Sequence, residues 1–185
     1  MKKYLFVIIS LISSYTIKAQ DVFTDPNMKV SFFSKTPMAD IDANSKTCSG
    51  ALNIHSKQLF ATVKIKSFEF KRELMQEHFN ENYMESDTYP DASFNGTITG
   101  GSSLNFTKDG TYSVTAKGKL TMHGVQVDRI IPLTVIVTGK QIIVHSEFMV
   151  HIADHKITIP TLVTEQIAQD VKVTVDGTLK PYTGN

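Results

Sequence analysis

Apolar and polar side chains alternate without a break along residues 111–122. Tyr112, Val114, Ala116, Gly118, Leu120 and Met122 share one face, and Thr111, Ser113, Thr115, Lys117, Lys119 and Thr121 share the other. A period of two is the signature of a strand with one buried face. His123-Gly124 reads as a turn, after which Val125 and Val127 resume the alternation. Beyond Arg129 it continues through Ile131, Leu133, Val135 and Val137. Gly139-Lys140 is a second turn, and Ile142, Val144, Ser146, Phe148, Val150 and Ile152 then lie opposite His145, Glu147 and His151. Val171, Val173, Val175 and Leu179 alternate near the end, as do Leu59, Ala61, Val63 and Ile65 earlier. Shorter strands are expected over 29–35, 49–55 and 92–99. Roughly eight strands joined by short turns containing Gly, Asn or Asp predict an all-β sandwich or an up-and-down antiparallel barrel. A barrel has the advantage that closure removes exposed edges.

One segment departs from this pattern. Over residues 70–85, Phe70, Leu74, Phe79 and Tyr83 recur at helical spacing with Lys71, Arg72, Glu73 and Glu77 between them, which predicts one amphipathic helix. Thr88-Tyr89-Pro90-Asp91 ends it. A short second helical turn is expected over 161–169.

Alternation alone does not say which face is inside. A transmembrane barrel is apolar outside with a polar lumen, and a soluble barrel is the reverse. The chain has no Trp, its aromatics form no girdles at the strand ends, it finishes on Gly184-Asn185, and its turns are short at both ends. These features predict an inward apolar face. Ala61, Ala116 and Gly118 are small residues on that face. They either leave room along the barrel axis or make room for the Phe-rich helix, and both readings stay open at this level.

Composition narrows the setting. A chain of 185 residues suits one domain. Lys2 and Lys3 precede an apolar run over 4–12, and Ser13, Ser14 and Thr16 lead to Ala19. That pattern predicts a secretory signal peptide over 1–19, too short in its apolar run to span a bilayer, and a single domain over 20–185 exported to the periplasm or beyond. Removing 1–19 takes away Lys2, Lys3 and Lys18, leaving 16 basic against 18 acidic residues and a formal net charge of −2. Such a charge gives no footprint for nucleic acid. The single cysteine, Cys48, cannot form an internal disulfide and reads as a small, partly buried residue.

Several segments carry a resemblance. They are Val30-Ser31-Phe32-Phe33-Ser34, the run His78-Phe79-Asn80-Glu81-Asn82-Tyr83-Met84-Glu85-Ser86 with Tyr89-Pro90 and Ala92-Ser93-Phe94, the run Gly118-Lys119-Leu120-Thr121-Met122-His123-Gly124-Val125 leading into Arg129-Ile130-Ile131-Pro132-Leu133, and Phe148-Met149-Val150-His151-Ile152-Ala153-Asp154 with Ile157 and Pro160. In order and spacing they resemble the YceI-like family across nearly the whole predicted mature chain. The resemblance implies a lipocalin-like, eight-stranded exported barrel with a helix beside it. It also implies a long apolar ligand, an isoprenoid lipid or isoprenoid quinone, held in an elongated pocket. The wall residues expected on that reading are Phe32, Ala61, Val63, Phe70, Leu74, Phe79, Tyr83 and Phe94, with Val114, Ala116, Gly118, Leu120, Leu133, Val135, Phe148 and Val150. His155-Lys156 stand where the family pattern has an aromatic and then a small residue, a departure that bears on head-group preference.

Other constellations have plainer readings. His145, Glu147 and His151 share one strand face, but Glu147 and His151 are too far apart for one tetrahedral metal centre, so a solvated face is expected. Glu73, Glu77, Glu81 and Glu85 form one helical stripe with Lys71 and Arg72 nearby, again a solvated face. His78 and His123 are expected to be structural hydrogen-bonders. No nucleophile elbow, phosphate loop or metal-binding helix is present, so no catalytic residue, metal or cofactor is expected. Asn95 and Asn105 head glycosylation sequons that matter only in a eukaryotic secretory route. Arg129 interrupts an apolar face and needs either an ion-pair partner such as Asp154 or a polar head group. Two functions follow. One is a carrier or reservoir for an apolar lipid-like molecule, with a stress-related role and a homodimer left open and no stable membrane insertion. The other is a barrel enzyme of the isomerase or cyclase type, which requires a perturbed ionisable group inside the cavity.

Overall fold

The computed structural model describes residues 21–35, 40–101, 103–159 and 168–184. Its strands are β1 (Val22–Lys35), β2 (Asp40–Asn53), β3 (Gln58–Lys64), β4 (Glu69–Phe70), β5 (Asp91–Ile98), β6 (Gly110–Met122), β7 (Val125–Thr138), β8 (Gln141–His151) and β9 (Asp170–Pro181). They pair in the order β1-β9-β8-β7-β6-β5-β3-β2, and β2 returns to β1, so eight antiparallel strands close a barrel. The two-residue β4 is an extra rung on β2, with Phe70 opposite Ala43. Alternation puts the apolar face inside: Val114, Ala116 and Leu120 of β6 are buried while Lys117 and Lys119 between them are exposed. The expected all-β antiparallel barrel is the observed fold.

Local chemistry explains the turns and one irregularity. His123 and Gly124 both adopt positive φ, 50° and 70°, as the tight hairpin between β6 and β7 requires. A Cβ on Gly124 would lie 2.6 Å from the Tyr89 ring, so that glycine also admits an aromatic neighbour. β1 begins seven residues earlier than its alternation predicts. Its pairing with β2 shifts on both sides of Met28, and Pro26 removes a ladder donor just before the shift. Asp25 satisfies the disturbed backbone, accepting from the Asn27 N–H at 2.9 Å and from the Thr178 N–H at 2.7 Å.

The expected helix over 70–85 is shorter and broken. Phe70 belongs to β4, α1 covers Glu73–His78, and a π-helical turn follows over Phe79–Tyr83. Pairing of Phe70 with Ala43 keeps the chain extended through Arg72 (φ −123°), and Glu85 at φ 44° turns it towards β5. No residue of α1 is buried. The four glutamates of the expected helical stripe, Glu73, Glu77, Glu81 and Glu85, are all exposed. Residues 1–19 of the expected signal peptide, and 161–167 of the expected second helical turn, lie outside the described residues.

Candidate functional site

The two ends of the barrel differ. At the end carrying the β2–β3 and β7–β8 turns the interior is packed solid, with Leu52, Val135 and Leu179 wholly buried. From there towards α1 the interior opens into a cavity of about 620 Å³, within the usual range of roughly 300–1,000 Å³ for ligand pockets. Its deep end is formed by Met28, Leu59, Ala116, Leu133, Val144 and Val175. Met28 fills space left by two glycines, since a Cβ on Gly177 would lie 2.7 Å from the Met28 side chain and one on Gly50 would strike its sulfur. The bulge in β1 therefore delivers a flexible thioether to the floor of the cavity.

Most of the expected wall residues meet in this one space. Ala61, Val63, Phe94, Leu120, Phe148 and Val150 line its sides, Ala116 and Leu133 its floor, and Phe32, Phe70, Leu74, Phe79 and Tyr83 its helical end. Three others do not line it. Val114 and Val135 lie one inward-facing position below Ala116 and Leu133 and belong to the packed end. Gly118 needs a correction of role: a Cβ there would collide with the Asn95 carbonyl and the Gly96 Cα, opposite which it sits in the ladder. It admits close approach of β5 and β6 and does not hollow the interior. Among the residues overlooked, Met28 and Val30 were hidden by the bulge. Val171, Val173 and Val175 were visible as a strand face that nothing in the alternation assigned to wall or floor.

Four phenylalanines close one side of the helical end. The Phe32 ring stacks on Phe79 at 5.3 Å, Phe70 meets Phe79 at 5.0 Å, and Phe68 lies 5.4 Å from Phe32 and 5.8 Å from Phe79. Such tilted and edge contacts each add about 0.5–1.5 kcal/mol beyond area burial. They hold the π-helical turn over the barrel although α1 itself buries nothing. Arg72 and His78 stand exposed at this rim. Among the described residues His78 makes no side-chain hydrogen bond, in contrast to His123.

Three hydroxyls of the wall are already engaged. The Ser146 hydroxyl donates to the Pro132 carbonyl at 2.7 Å, Thr62 donates to the Ala92 carbonyl at 3.4 Å, and Ser34 accepts from the Ala168 N–H at 3.2 Å. An occupant therefore meets a predominantly apolar surface. Burial pushes the Cys48 thiol up to about 11, a backbone hydrogen bond at Thr62 opposes that rise, and the Asp25 charge adds to it. Cys48 is thus a neutral wall residue with no thiolate character near neutral pH. Burial also raises the Tyr83 phenol.

Arg129 and Asp154 lie off the cavity wall. The guanidinium is 3.5 Å from the Asp154 carboxylate and donates to the Met149 carbonyl, an ion pair across a strand seam. His155 is fully buried, with Nδ1 3.2 Å from the Val125 carbonyl, and burial lowers its pKa. His123 is the structural hydrogen-bonder expected, its Nδ1 3.2 Å from the His155 carbonyl. On the outer face His145 pairs with Asp176 at 2.7 Å, Glu147 with Lys172 at 3.3 Å and His151 with Asp170 at 3.0 Å. Among the described residues no group of three or more potential ligands could hold a metal ion, and no helix is long and apolar enough to cross a membrane.

A family model described as the YceI-like domain matches residues 17–179. Similar solved structures include a polyisoprenoid binding domain from Saccharophagus degradans, 16% identical with a TM-score of 0.69, covering 88% of this chain and 99% of that one. BcnA from Burkholderia cenocepacia is 19% identical with a TM-score of 0.63, covering 82% and 95%. A YceI protein from Campylobacter jejuni is 16% identical with a TM-score of 0.56, covering 98% and 99%. At these identities the structural likeness speaks for the fold. No curated protein matches the chain.

Proposed function

The chain belongs to the YceI-like domain family, and from that premise we propose that it is an exported binding protein. It holds one long apolar molecule, an isoprenoid lipid or isoprenoid quinone, along the barrel axis, and acts as carrier or reservoir. The observation that carries this reading is the apolar cavity of about 620 Å³ running from the helical end to a packed floor. The polyisoprenoid binding named for the Saccharophagus degradans relative supports the ligand class. Binding needs no hydrogen bond: each methylene buried contributes about 0.8 kcal/mol. The enzyme reading finds less support. The wall's perturbed groups are Cys48 and Tyr83, both shifted upward and so neutral near pH 7, where neither is a base or nucleophile.

The test is a length series. Delipidated protein is titrated with prenyl alcohols of increasing chain length. Affinity is expected to tighten with each added unit until the chain reaches the floor at Ala116 and Leu133, and then to level off. Affinity independent of length, or no binding at any length, contradicts the proposal.

A further inference from the structure

The barrel has a seam where backbone pairing stops early. The β7–β8 ladder runs from Thr138 opposite Gln141 only to Thr134 opposite His145, although β7 extends back to Val125 and β8 on to His151. The cause is Pro132. Its carbonyl accepts the Ser146 hydroxyl at 2.7 Å and so faces β8, and in a strand the nitrogen of the same residue faces the same neighbour. Proline has no N–H to give there, and the ladder does not resume. On its other side β7 stays fully paired with β6, from Gly110 opposite Val137 to Met122 opposite Val125.

Side chains frame what the backbone leaves open. Ser146 bonds the Pro132 carbonyl. Arg129 reaches across to the Met149 carbonyl and to Asp154 at 3.5 Å. Above them the 3₁₀ turn Ile152–His155 is tied back to β7 through the His155 ring and the Val125 carbonyl. The result is a window with the ladder below, that turn above, and residues 129–133 and 146–150 as its sides. Ile131, Leu133, Phe148 and Val150 on its inner lips are cavity wall. On its outer lips the extended register sets Ile130 opposite Met149, 67% and 48% exposed. An apolar path thus runs from outside to inside, crossed mainly by the Arg129 guanidinium.

We propose that this window is a lateral portal through which the apolar chain enters and leaves, with Arg129 as its latch; the proposal rests on the cavity holding such a chain. Passage here meets mainly side chains, because the β7–β8 pairing does not extend across the window. Passage at the helical end runs past the packed rings of Phe32, Phe68, Phe70 and Phe79, which close one side of it.

Two bridged variants separate the routes. Ile130→Cys/Met149→Cys, joined by a short bis-maleimide, spans the window. Asp42→Cys/Lys71→Cys, whose native side chains are 2.9 Å apart, pins the start of α1 to β2. Cys48 is buried, with its thiol pushed up to about 11, and stays unlabelled. The probe is a conjugated-polyene fatty acid, read for its equilibrium Kd and for its dissociation rate into excess lipid vesicles. Bridging the window is expected to slow dissociation roughly tenfold or more with Kd unchanged, and Arg129→Met to speed it about tenfold, the worth of a charge-assisted bond. Bridging α1 should leave the rate as it was. If the α1 bridge slows release and the window bridge does not, the portal is refuted while the binding reading stands. If the unmodified protein binds no probe, the binding reading fails and the portal with it.

Discussion

Ala116 is where a single substitution best separates a hollow barrel from a packed one. It is buried on β6, opposite Ile98 on β5 and Ile131 on β7, and is the deepest β6 residue on the cavity wall. Ala116→Phe adds a ring at the floor. In a packed interior such overpacking costs about 1–3 kcal/mol. Here the ring has the cavity to enter, so the urea midpoint of ligand-free protein should stay close to that of the parent. Binding should suffer instead. An aromatic side chain covers about 150 Å² at the low end, and displacing that much ligand contact at about 25 cal/mol per Å² forfeits ~4 kcal/mol, roughly 10³-fold in Kd. The loss should fall on long prenyl chains, which reach the floor, and spare short ones. The paired assay is a urea titration of the ligand-free protein and a prenyl alcohol titration. A midpoint lowered by the equivalent of 1–3 kcal/mol, with long-chain affinity unchanged, would refute the reasoning.

Further outcomes follow from other residues. Gly118→Ala should destabilise by about 1–3 kcal/mol in urea, because its Cβ meets backbone on β5 that cannot yield cheaply; an unchanged midpoint would show that the strands have room to separate. His155 titrates near 6.5 when unfolded and lower when buried; backbone hydrogen bonds at Val125 and Met122 oppose that fall, and the Arg129 and Asp154 charges, lowering and raising it, matter less. As pH falls below about 6.5 the unfolded chain takes up a proton that the fold resists, so stability falls until the lowered folded pKa is passed. His155→Gln should remove that share of the acid sensitivity, and identical pH slopes for the two proteins would contradict it. Cys48 should react with a thiol reagent at mildly alkaline pH only after unfolding, which a colorimetric time course in and out of urea checks. The mature chain recovered from the cell envelope should begin at or near Gln20, and an intact Met1 on a cytoplasmic pool would overturn the export proposal.

How much of this was legible in the chain varies with the physics of each element. The hairpins around His123-Gly124 and Gly139-Lys140 were readable because one-sided burial imposes a period of two over more than ten residues. The first half of β1 was not, because Pro26 and the bulge at Met28 break that period where the floor is built. The helix was overextended because helical spacing says nothing of a competing strand rung, and Phe70 takes that rung on β2. Small residues were ambiguous in principle: Ala116 borders open space, whereas Gly118 admits a neighbouring backbone, and both read alike along an apolar face. Arg129 was recognisable as a residue in need of a partner, and Asp154 is that partner. That the pair spans an unzipped seam depended on which way the Pro132 carbonyl points, which no local pattern encodes.

The central claim, an apolar chain held inside the barrel, is tested most directly by native mass spectrometry of the protein purified from its own cell envelope without detergent exchange, followed by organic extraction of the same sample. The account predicts one apolar molecule per polypeptide, lost on unfolding and recovered in the extract as an isoprenoid lipid or quinone. A native mass equal to that of the polypeptide alone, with an empty extract and no uptake of added prenyl chain, would contradict it.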